Sequence, residues 1–231
     1  MFLTLPLREV LTATSRARVV RIDLQRQRFP FKPGQALYLA SHGREPRKPY
    51  SIASSPEDAE REGVLELLVG LNDEGHAGPH LMLAPGELVD IEGPAGRFTF
   101  PDDPRERQFL FVAGGTGIAP LRAMFRHALA RDRGSLSVLY SARTPDDFAY
   151  QAELRELAER GRIELRMTVT RDVDSDWRGT RGRIRPELLA PLVHDAATLC
   201  FICGPRTLVD DMPRLLGELG IARERIRIEE W

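Results

Sequence analysis

A chain of 231 residues, 42% of them hydrophobic, is long enough for one large domain or two of ordinary size. Its 33 basic and 34 acidic residues leave a formal charge of −1, which argues against a general nucleic-acid-binding surface. No apolar run approaches the roughly 20 residues that span a bilayer, and "MFLTLPLREVLTATSR" has no basic region ahead of its short apolar runs; no membrane span and no signal peptide are expected, and the location expected is the cytoplasm.

Up to about Phe100 the chain reads as short strands. "RVVRIDL" (18–24) alternates, with Val19, Arg21 and Asp23 on one face and Arg18, Val20, Ile22 and Leu24 on the other. "QALYLA" (35–40), "YSIAS" (50–54), "VLELLVG" (64–70) and "LVDIEG" (88–93) follow, separated by the turn signals "KPGQ", "SSPED", "NDEG", "APGE" and "GPAG". This spacing predicts a small antiparallel β-barrel over residues 1–100. The polar stretch "PDDPRERQ" (101–108) reads as a linker.

From Phe109 strands and helices alternate to the end of the sequence. The strands are "FLFVA" (109–113), "LSVLY" (136–140), "IELRMTV" (163–169), "TLCFIC" (198–203) and "IRIE" (226–229). Helical spacing relates Leu121, Met124, Phe125, Ala128 and Leu129, then Tyr150, Leu154, Leu157 and Ala158, then Leu208, Met212, Leu215, Leu216 and Leu219. Pro213 falls inside the last pattern, where it should kink the helix or shift its start. The second domain, 109–231, is thus expected to be α/β, with a parallel five-stranded sheet covered on both faces.

Gly114, Gly115 and Gly117 fall at the first strand-to-helix turn of that domain, and a helical pattern begins at Ala119. Glycines let ligand atoms approach the backbone, and the helix start presents N–H groups to an anion, so "GGTGIAP", with Thr116, is built like a pyrophosphate cradle. A plain tight turn is the alternative. A second glycine turn, "FICGP", closes another strand with Cys203, Gly204 and Pro205. Cys200 and Cys203 are too few for a disulfide framework or an all-cysteine iron–sulfur site. Spaced i, i+3 on a strand they face opposite sides, which opposes a redox or metal pair; no metal is expected.

"KPYSIASSP", "GPAGRF", "GGTGIAP" and "CGP", in that order, resemble the ferredoxin–NADP reductase-like flavoproteins over essentially the whole chain. The resemblance implies an N-terminal flavin-binding barrel and a C-terminal NAD(P)-binding domain. In "KPYSIAS" it places Lys48 at the flavin phosphate, Tyr50, after Pro49, on the flavin ring, and Ser51 near the reactive N5. Lys48 stands where the family usually has arginine, and lysine lacks the planar fork; Arg47 is a candidate compensator. The family's next phosphate loop carries a serine or threonine before a helix. Here "GHAGPHLM" offers Gly75 and puts Gly78 in the hydroxyl position, leaving the backbone N–H groups of Ala77 and Gly78 at the helix start. His76 and His80 read as surface or packing residues.

Trp231 matches a terminal aromatic that covers the flavin face in part of the family, and Glu229 a carboxylate that assists hydride transfer; a solvated acidic tail is the alternative. Thr170 and Arg171 in "TVTRD", with Arg183 in "GRI", match arginine positions that hold a ribose 2′-phosphate, which favours NADPH over NADH. The implied cofactor is FAD, with FMN as the alternative. The implied reaction is hydride transfer from nicotinamide to flavin N5 and delivery of electrons to a separate ferredoxin, flavodoxin or oxygenase component. A reductase of diffusible flavin and a non-catalytic nucleotide-sensing or docking subunit are the competing readings.

Overall fold

A computed structural model of the chain describes residues 1–171 and 176–230. The chain divides into two compact units: Met1–Phe100 with Arg122–Ala130, and Pro101–Leu121 with Arg131–Trp231.

In the first unit, strands β1 (Phe2–Thr14), β2 (Ala17–Asp23), β3 (Ala36–Ser41) and β4 (Lys48–Ser51) lead to a short helix α1 (Pro56–Glu62), followed by β5 (Val64–Gly70) and β6 (Leu88–Ala95). All pair antiparallel, in the order β4-β3-β6-β1-β2-β5. The two ends of that order meet. Ile52, just past β4, bridges Leu67 of β5, and the Ala53 N–H donates to the Glu66 carbonyl at 2.7 Å. This closes the expected barrel, whose interior holds Leu5, Val20, Ile22, Leu37, Ile52 and Leu67. In "RVVRIDL" Val20, Ile22 and Leu24 are buried on the inner face, while on the other Arg21 and Asp23 stay half-buried and Val19 is buried too.

Two elements here lie outside the predicted strand set. The first, β1, is the longest strand of the chain. The second, α1, occupies "SSPED", which reads as a turn because Ser, Pro and Asp serve turns and helix starts alike. The Ser55 hydroxyl accepts from the Asp58 N–H at 3.1 Å, Pro56 takes the first turn, and Gly63 ends the helix at φ +69. A correction runs the other way. No helix follows "GHAGPHLM": residues 76–87 form turns and irregular backbone, and the Leu81 N–H closes a short turn onto the Gly78 carbonyl at 3.3 Å. Pro79 has no N–H to offer a helix there.

β5 is buried on both faces through Val69, including the carboxylate of Glu66. Arg122 at 2.9 Å and Arg21 at 2.8 Å hold that charge, and Arg122 also donates to the Ala53 carbonyl. Burial opposes the charge of Asp58, yet Arg126, Ser55 and Arg61 hold its carboxyl well below the usual range.

The second unit contains β7 (Gln108–Gly114), a single 3₁₀ turn at Gly115–Gly117, α2 (Ile118–Ala130), β8 (Ser135–Ala142), α3 (Gln151–Glu159), β9 (Glu164–Val169) and β10 (Thr180–Arg181). Then come α4 (Pro186–Leu189), β11 (Leu199–Gly204), α5 (Arg206–Glu218) and β12 (Ile226–Glu230). The first turn of α2 counts with this unit and Arg122–Ala130 with the first. The sheet is parallel, in the order β10-β9-β8-β7-β11-β12. It therefore has six strands rather than five, because β10 adds two exposed residues at the edge, too short to carry a hydrophobic pattern. On one face Leu110, Val112, Cys200 and Ile202 pack with Met212, Leu215 and Leu216 of α5, which continues through Pro213. On the other, Phe111 and Phe201 stack at 5.5 Å. Residues 101–108 are tied to this unit by Asp103 to Arg133 at 3.3 Å and Glu106 to Arg225 at 3.1 Å.

Candidate functional site

In the second unit the strand order reverses between β7 and β11, and parallel sheets bind ligands beyond the strand ends at such a point. Both glycine turns lie there. A Cβ on Gly117 would fall inside the van der Waals shell of the Cys203 carbonyl and 2.9 Å from the Gly204 nitrogen. One on Gly114 would lie 2.8 Å from Pro205 Cδ, and one on Gly204 would lie 3.1 Å from Gly114 Cα. These glycines let the two turns pack backbone to backbone; of the "GGTG" glycines, only Gly115 needs a positive φ, at +55. The N–H groups of the Gly115–Gly117 turn and the start of α2 follow directly, as an anion site requires.

Strand register brings Cys203 of β11 beside Glu229 of β12, with Sγ 4.0 Å from Oε2. Burial pushes the Glu229 carboxyl up to about 7. Burial, and then the Glu229 charge, raise the Cys203 thiol far above its ordinary value, so it stays protonated. Cys200 packs among the apolar residues of the opposite face, its thiol pushed up by burial to about 12, and both cysteines are free. Because folding raises the Glu229 pKa, the folded state binds more protons than the unfolded one between the ordinary glutamate value and about 7. Stability contributed by this group is therefore expected to fall as the pH rises across that window. Glu229→Gln should flatten the same part of a thermal-midpoint profile; an unchanged slope would mean the carboxyl titrates normally.

Thr170, Arg171 and Arg183 gather elsewhere, at the carboxyl end of β9. The Gly182 N–H donates to the Val169 carbonyl at 2.8 Å, the Arg171 N–H to the Arg143 carbonyl at 2.8 Å, and Arg171, Arg181 and Arg183 are all exposed. β9 is two strands from β7, roughly 10 Å at ordinary strand spacing. Trp231 lies outside the described residues.

In the first unit, Lys48, Pro49, Tyr50 and Ser51 make up β4 and pair with Leu39, Tyr38, Leu37 and Ala36 of β3. Gly75, Ala77 and Gly78 line a cleft of about 620 Å³ together with Arg18, Arg44 and Asn72. Asn72 shapes this loop, its side-chain oxygen accepting from the Glu74 and His76 N–H groups at 3.2 and 2.8 Å. Arg47, the candidate compensator for Lys48, is engaged by other groups. It pairs with Glu45 at 2.8 Å and Glu92 at 3.4 Å and lies over the Phe2 ring. The cations on the cleft are Arg44 and Arg18, which no motif had marked. His80, expected at the surface or in packing, is buried, with Nε2 2.8 Å from the Tyr50 hydroxyl.

A closed antiparallel barrel is followed along the chain by a parallel sheet with paired glycine turns at its switch point, where such sheets bind nucleotides. Residues 3–100 match the oxidoreductase FAD-binding domain family and residues 111–213 the oxidoreductase NAD-binding domain family. The chain is 38% identical over 216 residues to ferredoxin–NADP reductase B of Sorangium cellulosum, covering 88% of this chain and 86% of that protein. It is 27% identical to NADH-cytochrome b5 reductase 1 of Scheffersomyces stipitis, covering 97% of this chain and 81% of the relative. Its fold is similar to that of the Amycolatopsis cytochrome P450 reductase GcoB, with a TM-score of 0.84 at 24% identity, over 100% of this chain and 69% of that one. The chain belongs to the ferredoxin–NADP reductase-like family of FAD- and NAD-binding oxidoreductases. Among the described residues no helix is long and apolar enough to cross a membrane.

Proposed function

We propose that the protein oxidises NADPH in preference to NADH and passes the electrons, through bound FAD, to a separate protein acceptor such as a ferredoxin, a flavodoxin or an oxygenase component. The observation that carries this reading is the meeting of two glycine turns at the switch point, with Cys203 and Glu229 side by side at the same strand ends.

Bound FAD supplies the exchange between two-electron and one-electron chemistry that a nicotinamide lacks. The first unit fits such a group: its cleft carries Arg18 and Arg44 for phosphate, and a buried imidazole nitrogen beside Gly78 has no partner. Lys48, Arg44 and the N–H groups of Ala77 and Gly78 hold the flavin phosphate; Gly75 keeps that loop open. Pro49 and Tyr50 present the surface against which the ring lies, and Ser51 supplies a hydroxyl at the ring edge. In the second unit, Gly114, Gly115, Thr116 and Gly117 take the nucleotide pyrophosphate, and Gly204 and Pro205 keep the crevice shallow. Cys203 offers a neutral, polarizable contact to the nicotinamide, while Glu229 holds a proton below about pH 7. Trp231 is assigned to the flavin face, on sequence position alone. Two free thiols suit the reducing cytoplasm in which we place the protein.

Thr170, Arg171 and Arg183 are assigned to the ribose 2′-phosphate. Arg171→Ala should lower kcat/KM for NADPH about tenfold, the lower end for a charge-assisted contact because the side chain is exposed, and hardly change NADH use. Raised salt should hurt NADPH more, since the extra dianion is the screened group. Equal losses for both nucleotides would make Arg171 structural. The second reading, a reductase of diffusible flavin, is favoured by the lack of both a side-chain hydroxyl at Gly78 and a helix after it. Gel filtration separates the two: protein that stays yellow supports bound FAD, and colourless active protein supports diffusible flavin.

A further inference from the structure

His80 is 2% exposed, and the structure fixes its ring. Its carbonyl accepts from the Ser41 N–H at 2.9 Å, and on either side Arg44 donates to the Pro79 carbonyl while the Met82 N–H donates to the Ser41 hydroxyl. The imidazole lies nearly parallel to the Tyr50 ring, at 13° and 6.1 Å between centroids, with Nε2 2.8 Å from the phenol oxygen. The phenol oxygen can donate or accept, so this contact fits either imidazole tautomer; where Tyr50 donates to Nε2, the imidazole proton resides on Nδ1. Near neutrality the phenol stays protonated and the imidazole neutral. Burial pushes the Tyr50 phenol up to about 12, and burial with the nearby Lys48 charge keeps the His80 imidazole below its ordinary value.

Nδ1 is buried with no hydrogen-bond partner, and folded proteins seldom leave a buried polar atom without a protein, water or ligand partner. Gly78 stands in front of it. A Cβ on Gly78 would lie 3.2 Å from Nδ1 and 3.4 Å from Cε1, and chain neighbours apart, no other atom comes within 4 Å of that position. Any side chain there would press on Nδ1, and glycine places none against it. Gly78 also lines the cleft that carries Arg18 and Arg44 against the single carboxylate of Glu74, surroundings suited to an anion.

We propose that His80 Nδ1–H donates to a phosphate oxygen of the flavin across Gly78, standing in for the side-chain hydroxyl that this loop lacks. The inference rests on the flavin reading above. It gives His80 two jobs, one nitrogen orienting Tyr50 and the other binding phosphate, and two substitutions separate them. His80→Gln keeps an amide near the Nε2 position for Tyr50 and removes the Nδ1 donor; His80→Asn does the reverse.

The test is titration of flavin-stripped full-length protein with FAD and riboflavin. His80→Gln should lose at least about tenfold in FAD affinity while riboflavin binding hardly changes. His80→Asn should keep the wild-type preference for FAD over riboflavin. Nitrogen-15 spectra of histidine-labelled wild-type protein should show a protonated Nδ1 whose resonance moves with FAD and not with riboflavin. Equal losses for both ligands in His80→Gln, or a proton on Nε2, would overturn the proposal and leave FAD binding by the protein intact. Wild-type protein that binds no flavin overturns the flavin reading and this inference with it.

Discussion

Ser51→Ala is expected to slow reduction of the bound flavin by NADPH about 10²-fold, the usual cost of a hydrogen bond positioned at reacting atoms. Ser51 is the last residue of β4, half-buried, and its register with Ala36 of β3 is made by the backbone rather than the hydroxyl. The substitution should therefore leave the barrel and FAD retention unchanged while the single-turnover rate falls. Stopped-flow reduction under saturating NADPH measures this directly. An unchanged rate would remove Ser51 from the reaction, and a loss of FAD would make it a binding residue instead.

Gly117→Ala should be as damaging, for a different reason. The new methyl group would press on the Cys203 carbonyl and sit 2.9 Å from the Gly204 nitrogen, both main-chain atoms that cannot rotate away. The turn after β7 or the turn after β11 must move, and a shift of about 1 Å at a reacting centre is enough to cost about 10²-fold. Overpacking of this kind also lowers stability by about 1–3 kcal/mol. Expected together are a lower thermal midpoint and a much reduced kcat/KM for both nucleotides, since the cradle proposed for the pyrophosphate would serve both. Gly117→Ala with normal kinetics would mean that the two turns are not the nucleotide site.

Much of this arrangement was legible because period and punctuation agree. The five longer strands of the second sheet show as short β-prone runs, and β7 and β11, the two that end in glycine, carry the turns that meet at the switch point. What the pattern missed follows from physics that single residues do not display. α1 hides in Ser-Pro-Glu-Asp, where the spacing of Ser55 and Asp58 is a cap signal as well as a turn signal. β10 is too short to have a period. Glu66 looks like an outward residue of an alternating strand, yet it is buried because Arg122, 56 positions away, reaches it. His80 carries no local mark at all: its place under Tyr50 is set by the pairing of Ser41 with the chain after Gly78. The role of the glycines was half legible. Their freedom was visible in the sequence, but their packing against Cys203, Gly204 and Pro205 is a tertiary fact.

The central claim, that one chain both holds a flavin and lets a reduced nicotinamide deliver hydride to it, is tested most directly by anaerobic addition of NADPH to the purified protein in a sealed cuvette. The oxidised-flavin absorbance should be present before any addition and should bleach with one equivalent of NADPH, and added ferricyanide should restore it. A protein that shows no flavin band, or one whose band persists in excess NADPH and excess NADH alike, would contradict the account.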